Sequence, residues 1–236
     1  MADYPEIESQ RHHLDACVTC GICHSVCPTY LLSGRELLSP RGRILLLRRL
    51  LEGDIRPEEI GADAFDFCAL CYACQTACPA GVRTDLLFIA ARKTLADARG
   101  LDRRKALLFR TLEKPRHVEL AVGLAALARK LFGRRVVDTV AGGVHVPDLR
   151  VRPLLHELPD VIPAEGKRRC RVGFFLGCIS NYVRERPARA ALEVLRRLGC
   201  EIVIPKGQVC CGAPAFNNGD FDTPRRLAEV NLRLFH

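Results

Sequence analysis

Apolar positions in the first half of the chain recur at helical spacing. Those of the last third come in short runs bounded by turn residues. Ser39 and Pro40 read as an N-cap and first helical position, RGRILLLRRLLEG follows as an amphipathic helix, and Gly53 stops it. A second helix is expected through PEEIGADAFDF, delivering Cys68. After Pro79, the spacing of Leu86, Leu87, Ile89, Ala90 and Leu95 predicts another, and Leu107 to Leu131 supports one or two more. From Val136 to Gly166 prolines and glycines accumulate without a period, which reads as a linker draped on the surface. RVGFFLGC then predicts a short buried strand, Pro187 to Leu198 a helix closed by Gly199, and EIVIP a second strand, together a βαβ unit. A last helix is expected from Thr223. No capping residue ends it, so the chain reads as cut or as a natural short form. The fold class is α+β, an all-α part followed by an α/β unit.

An apolar fraction of 48% with 27% charged residues over 236 positions suits a folded core rather than a disordered tail. MADYPEIESQRHHLD has no basic flank leading into an apolar core, so neither a secretory signal nor a transit segment is read there. The most apolar stretches, such as Val118 to Ala128, are too short to span a bilayer, which takes about 20 helical residues. The expected location is the cytoplasm, or peripherally the inner face of the membrane. The net charge of +9 invites a nucleic-acid reading, but no recognition helix with interleaved aromatics supports it, and nucleic acid is not an expected partner. No G-x-G-x-x-G opens a helix, so no nucleotide or flavin site is read.

The cysteines change the picture most. Cys17-x2-Cys20-x2-Cys23-x3-Cys27-Pro28 recurs as Cys68-x2-Cys71-x2-Cys74-x3-Cys78-Pro79, displaced by 51 positions, with Gly21 in the first copy and Ala73 in the second. Thirteen cysteines, odd in number and mostly in two tight runs, suit metal-bound thiolates better than a disulfide scaffold. Zinc would need two pairs per site and gives no role to a duplicated four-cysteine run ending before proline. Three thiolates at x2 spacing can serve one cubane, and in two-cluster runs of this type the fourth cysteine serves the other. Two [4Fe-4S] clusters are therefore expected, one on Cys17, Cys20, Cys23 and Cys78, the other on Cys68, Cys71, Cys74 and Cys27. At about −2 each, they would lower the net charge to about +5. His24 is expected to be solvated or to stand behind the ligands. Arg41 and Arg43 are expected on an exposed helix start, the alternative being a place over a cluster. Cys170 and Cys200 are expected as buried apolar thiols. Cys178 with the vicinal Cys210 and Cys211, followed by Gly212, forms a second candidate cofactor or redox site, because adjacent thiols reach a cofactor from one loop and glycine permits close approach.

On these residues the N-terminal half resembles the α-helical dicluster ferredoxin domain, and CPTYLLSGRELLSPRGRILLLRRLLEGD is similar to the corresponding stretch of glycolate oxidase iron-sulfur subunits. Cys178 and Cys210-Cys211-Gly212 resemble the cysteine-rich CCG domain that lactate-utilisation proteins, anaerobic glycerol-3-phosphate dehydrogenase C subunits and heterodisulfide reductases share. The resemblance implies a ferredoxin domain over 1–135, a linker over 136–168 and an incomplete CCG domain over 169–236. It also implies electron transfer from an FAD-containing 2-hydroxy-acid oxidase subunit, acting on glycolate or lactate, to a quinone or membrane-associated acceptor. The chain alone is not expected to oxidise the hydroxy acid. The alternative is a heterodisulfide-reductase-like subunit reducing disulfides at the CCG cysteines. In the family a further cysteine pair and usually a second domain copy follow, so a further cluster at Cys178, Cys210 and Cys211 would need missing residues or a partner.

Overall fold

The computed structural model describes residues 4–140 and 145–235. They form two compact units, Met1–Ala106 with Pro214–Phe221, and Leu107–Ala213 with Asp222–His236.

The first unit is helical. Its longest helices, Pro40–Glu52 and Thr84–Arg99, bury one face each, with Ile44, Leu47 and Leu50 on one and Leu87, Phe88 and Ala91 on the other. These side chains share a core with Ile7, Leu14, Ala64 and Phe65. Both ends of Pro40–Glu52 follow from local sequence: Ser39 Oγ accepts from the Gly42 N–H at 2.8 Å, and Gly53 closes the helix at φ +82°. PEEIGADAFDF is less regular than expected. It forms a single 3-10 turn, Pro57–Glu59, then the short helix Ala62–Asp66, because Gly61 between them takes an extended conformation at ψ 138°. The segment Pro214–Phe221 packs on Thr84–Arg99: the Arg92 guanidinium donates to Asn217 O at 2.6 Å, and a Cβ at Gly219 would meet Arg92 O at 2.4 Å.

The second unit carries the expected βαβ element. Strands β2 (Cys170–Gly173) and β3 (Cys200–Val203) pair in parallel, and the helix Glu185–Arg197 connects them and buries Ala188 and Leu192. Strand β1 (Val161–Ile162) adds to β3 in antiparallel sense, giving the order β1-β3-β2. The stretch expected as a surface linker is more structured than its composition suggests. It contains β1 and the helix Leu154–Glu157, and Leu154, Leu155 and Leu158 lie in one core with Leu192, Ile202 and Ile204. Elements this short carry no readable period. The expected helices before and after this region form as Pro115–Phe132, opened by its proline, and Asp222–Phe235. Among the described residues no helix is long and apolar enough to cross a membrane.

Candidate metal centre

The two cysteine runs fold as near copies. Thr19 and Gly21 in the first, and Leu70 and Tyr72 in the second, have positive φ (54°, 84°, 49° and 62°), and each pair repeats at the spacing of the cysteines. Among the described residues, the non-glycine residues with positive φ all lie in these two loops. That conformation costs an L-residue about 1–2 kcal/mol. Its place here marks a backbone curled around something central.

Exposure repeats as well. Cys20 and Cys71 are exposed, and Cys17, Cys23, Cys68 and Cys74 are half-buried. The copies diverge at the fourth cysteine. Cys27 is buried and stands just before the helix Pro28–Ser33, whereas Cys78 is half-buried and leads into a turn.

Two cavities lie between the runs. One is lined by Cys17, Cys20, Cys23 and Cys78 with Arg41, Ile44 and Val82. The other is lined by Cys27, Cys68 and Cys71 with Arg43 and Leu70. Cys74, Pro40 and Thr84 border both. The second cavity thus meets three thiols of one run and the fourth of the other, and the first meets the converse set with Cys74 in addition. The sulfurs surround space rather than meeting at a point: among the described residues no three His, Cys, Asp or Glu side chains stand close enough to hold a single metal ion. This donor set fits two cubane clusters, whose iron corners need ligands spread around a volume. Burial pushes the Cys23 thiol up to about 11 and raises Cys74 too, so iron binding there displaces protons. Cys27 goes the other way. Burial raises it, but hydrogen bonds from the Thr29 hydroxyl and the Tyr30 and Thr29 amides, with Arg43 nearby, outweigh that.

The expectation of an exposed helix start fails for Arg43, which is 1% exposed. Its Nε donates to Ala64 O at 2.5 Å, and its guanidinium stands 5.8 Å from the Phe88 ring centroid. The Arg41 guanidinium is clamped by Glu36 at 2.8 Å and reaches Thr19 O at 3.4 Å. One cation therefore borders each cavity. His24 is half-buried. Its ring lies tilted against Tyr30 at 4.2 Å between centroids, with Nε2 3.4 Å from Glu36.

Two arginines that the sequence reading passed over anchor the loops. Arg48 donates to Leu14 O and Cys17 O at 2.5 and 2.6 Å. Arg92 donates to Phe65 O and Cys68 O at 2.6 and 2.5 Å. Leu14 and Phe65, like Cys17 and Cys68, are related by the repeat, and each arginine lies eight residues past the start of a long helix, Pro40–Glu52 for Arg48 and Thr84–Arg99 for Arg92. The two arginines lie 44 positions apart rather than 51, so the cysteine repeat does not pair them in sequence and only their shared choice of carbonyls does. Hydroxyls play a similar part: Thr29 contacts Cys27 Sγ at 3.2 Å, and Thr84 contacts Cys74 Sγ at 3.1 Å.

In the second unit Cys178 and Cys210 come together with Sγ atoms 3.9 Å apart, while Cys211 is exposed. Their hydrogen bond pulls Cys178 down to about 7 and, with burial, drives Cys210 up. Of the two, Cys178 is the thiol more readily deprotonated. Gly212 turns the loop at φ +84°, where a Cβ would meet Pro224 Cα at 2.7 Å. Asn231 pins the other side, its Oδ1 accepting from Val209 N–H at 3.0 Å and its Nδ2 donating to Cys210 O at 3.3 Å. The adjoining cavity is lined by Leu112, Pro115, Val118, Asn181 and Tyr182. Cys170 is exposed rather than buried, and it faces the buried Cys200.

The family described as 4Fe-4S dicluster domain matches residues 13–82, and that described as cysteine-rich domain matches 172–236. The chain thus carries a 4Fe-4S dicluster domain followed by a cysteine-rich domain. The dicluster domain implies two [4Fe-4S] clusters. The chain is similar to the probable glycolate oxidase iron-sulfur subunit of Bacillus subtilis (strain 168), at 32% identity over 93% of this chain and 53% of that protein. It is 31% identical to the glycolate oxidase iron-sulfur subunit of Escherichia coli (strain K12), over 85% of this chain and 47% of that one. Similarity extends to one subunit of the dihydromethanophenazine:CoB–CoM heterodisulfide reductase of Methanosarcina barkeri (strain Fusaro), at 26% over 94% of this chain and 52% of that protein. The chain spans about half the length of these relatives. No solved structure matches it.

Proposed function

We propose that this chain is the electron-transfer subunit of a flavin-dependent 2-hydroxy-acid dehydrogenase acting on glycolate or lactate. One cluster is held by Cys17, Cys20, Cys23 and Cys78, the other by Cys68, Cys71, Cys74 and Cys27. An FAD-containing partner takes hydride from the hydroxy acid, and a quinone or other membrane-associated acceptor receives the electrons in the cytoplasm or at the inner face of the membrane. When bound, the clusters supply one-electron carriers.

The chain's own residues set the frame. Arg48 and Arg92 fix the carbonyls beside the first cysteine of each run, Ile44 and Val82 line the first cavity with apolar surface, and Arg41 and Arg43 set a positive charge beside sites that would carry negative charge. The observation that carries this reading is the common border of the two cavities at Cys74, Pro40 and Thr84, which would keep the centres within short electron-transfer reach.

The test is anaerobic iron and sulfide analysis with EPR of the dithionite-reduced chain. About eight irons with a spin-coupled spectrum is the expected result. About four irons, or zinc in their place, overturns the ligand assignment.

A second reading is disulfide reduction at Cys178 and Cys210, favoured by their 3.9 Å separation and by the lowered Cys178. Turnover of a disulfide substrate by the reduced chain, lost in Cys178→Ser, would move the assignment there.

A further inference from the structure

Cys170 and Cys200 belong to neither cysteine run and not to the Cys178, Cys210 and Cys211 set. They open strands β2 and β3 and are direct partners in the parallel register. Their Sγ atoms stand 3.1 Å apart. Neighbouring strands lie about 4.8 Å apart, inside the Cα separation of about 4.4–6.8 Å that a disulfide accepts. The sulfurs need to close by only about 1 Å to reach a bond of about 2.05 Å. The backbone on both sides is held: Arg169 N–H donates to Gly199 O at 2.8 Å, and Arg171 and Glu201 are register partners in the ladder whose side chains also pair at 3.0 Å. Accessibility is divided, with Cys170 exposed and Cys200 7% exposed. Lys167, Arg168, Arg169 and Arg171 surround Cys170 in sequence, and Glu201, which pairs with Arg168 and Arg171, offsets only one of these four charges, leaving a positive surround that attracts anionic reagents.

We propose that Cys170 and Cys200 are a site of reversible thiol-disulfide exchange with an anionic low-molecular-weight disulfide, forming an intramolecular cross-link between β2 and β3. The Cys170 thiolate attacks one sulfur of the small disulfide, whose S–S bond breaks and releases one small thiol. Cys200 then attacks the Cys170 sulfur of the mixed disulfide and releases the second. Two protein thiols are oxidised, one small disulfide is reduced to two thiols, and the two protons leave on those thiols. An excess of small thiol reverses the exchange. The cross-link lies at the strand ends away from Cys178 and Cys210, and it closes the loop that holds the helix Glu185–Arg197. It therefore tightens the second unit without entering its cavity.

The test uses the full chain isolated anaerobically with its iron and equilibrated in glutathione buffers of rising oxidised fraction. Thiols are trapped with iodoacetamide in denaturant and read by peptide mass. The expected result is a Cys170–Cys200 cross-linked peptide at unchanged iron content, with a rise of several degrees in the melting midpoint of the second unit. The exposed-site variant Cys170→Ser, which leaves the core intact, should lose both the cross-link and the rise. A stable glutathione adduct on Cys170 with Cys200 still alkylated, a cross-link to any other cysteine, or full alkylation of both thiols in the oxidised buffer overturns the proposal.

Discussion

In the loops 17–27 and 68–78 the sulfurs contact hydroxyls, as Cys27 does with Thr29 and Cys74 with Thr84. In the second unit sulfur meets sulfur, at 3.9 Å for Cys178 and Cys210 and at 3.1 Å for Cys170 and Cys200. The backbones differ in the same sense. The first two loops hold residues in the left-handed region and are tied by buried or half-buried arginines. The second unit instead places its thiols at the starts of paired strands or in the segments that follow them. Curled loops around a cavity suit an inserted inorganic core, and thiols in mutual contact suit exchange of protons and electrons between sulfurs. The cysteines of the two units thus differ in what surrounds them, hydroxyls and curled loops in the first and a second thiol in the other.

The strongest way to break this comparison is to remove a thiol from each region. Cys68→Ala should lower bound iron from about eight to about four or fewer and abolish spin coupling, while Cys178→Ser should leave iron content unchanged. Iron assay and EPR decide, and an equal loss in both variants would mean that the regions share one centre. Next in size is the core between the loops. Phe65→Ala, at a fully buried position, should cost about 3–5 kcal/mol in anaerobic guanidinium unfolding.

Arg92→Met sharpens the comparison from the anchoring side. It leaves the carbonyls of Phe65, Cys68 and Asn217 without their donor, a loss of about 2–4 kcal/mol. Chelators should then extract iron faster. Arg48→Met, at a half-buried position, should act in the same direction and less. A rate unchanged in both variants would remove the arginines from the account. The smallest effects lie in the loop backbones. Tyr72→Gly relieves a left-handed residue and should stabilise by about 1 kcal/mol. Gly21→Ala should destabilise by at least as much, because its Cβ would also stand 3.0 Å from Arg41. Thermal melts of the two variants should move in opposite directions.

Much of the first unit was legible along the chain. Pro40–Glu52 begins and ends where Ser39 and Gly53 announce it, since capping is a local hydrogen-bond requirement. Thr84–Arg99 and Glu185–Arg197 follow from apolar spacing in the same way. What escaped was either short or long-range. β1 and Leu154–Glu157 are too brief for a period. Arg43 looks like any helix-start arginine until Ala64 O and the Phe88 ring are placed against it.

By itself the sequence determined the number, spacing and duplication of the thiols, and hence the class of cofactor, because ligation by one short loop depends on residues close in the chain. The tertiary structure alone decided that Ile44 and Val82 line the same cavity as the first run. It decided likewise that Arg48 and Arg92 serve matching carbonyls, and that Cys170 stands against Cys200. Each of these contacts joins residues distant along the chain. Burial and backbone pairing bring them together, and no local period records such a meeting.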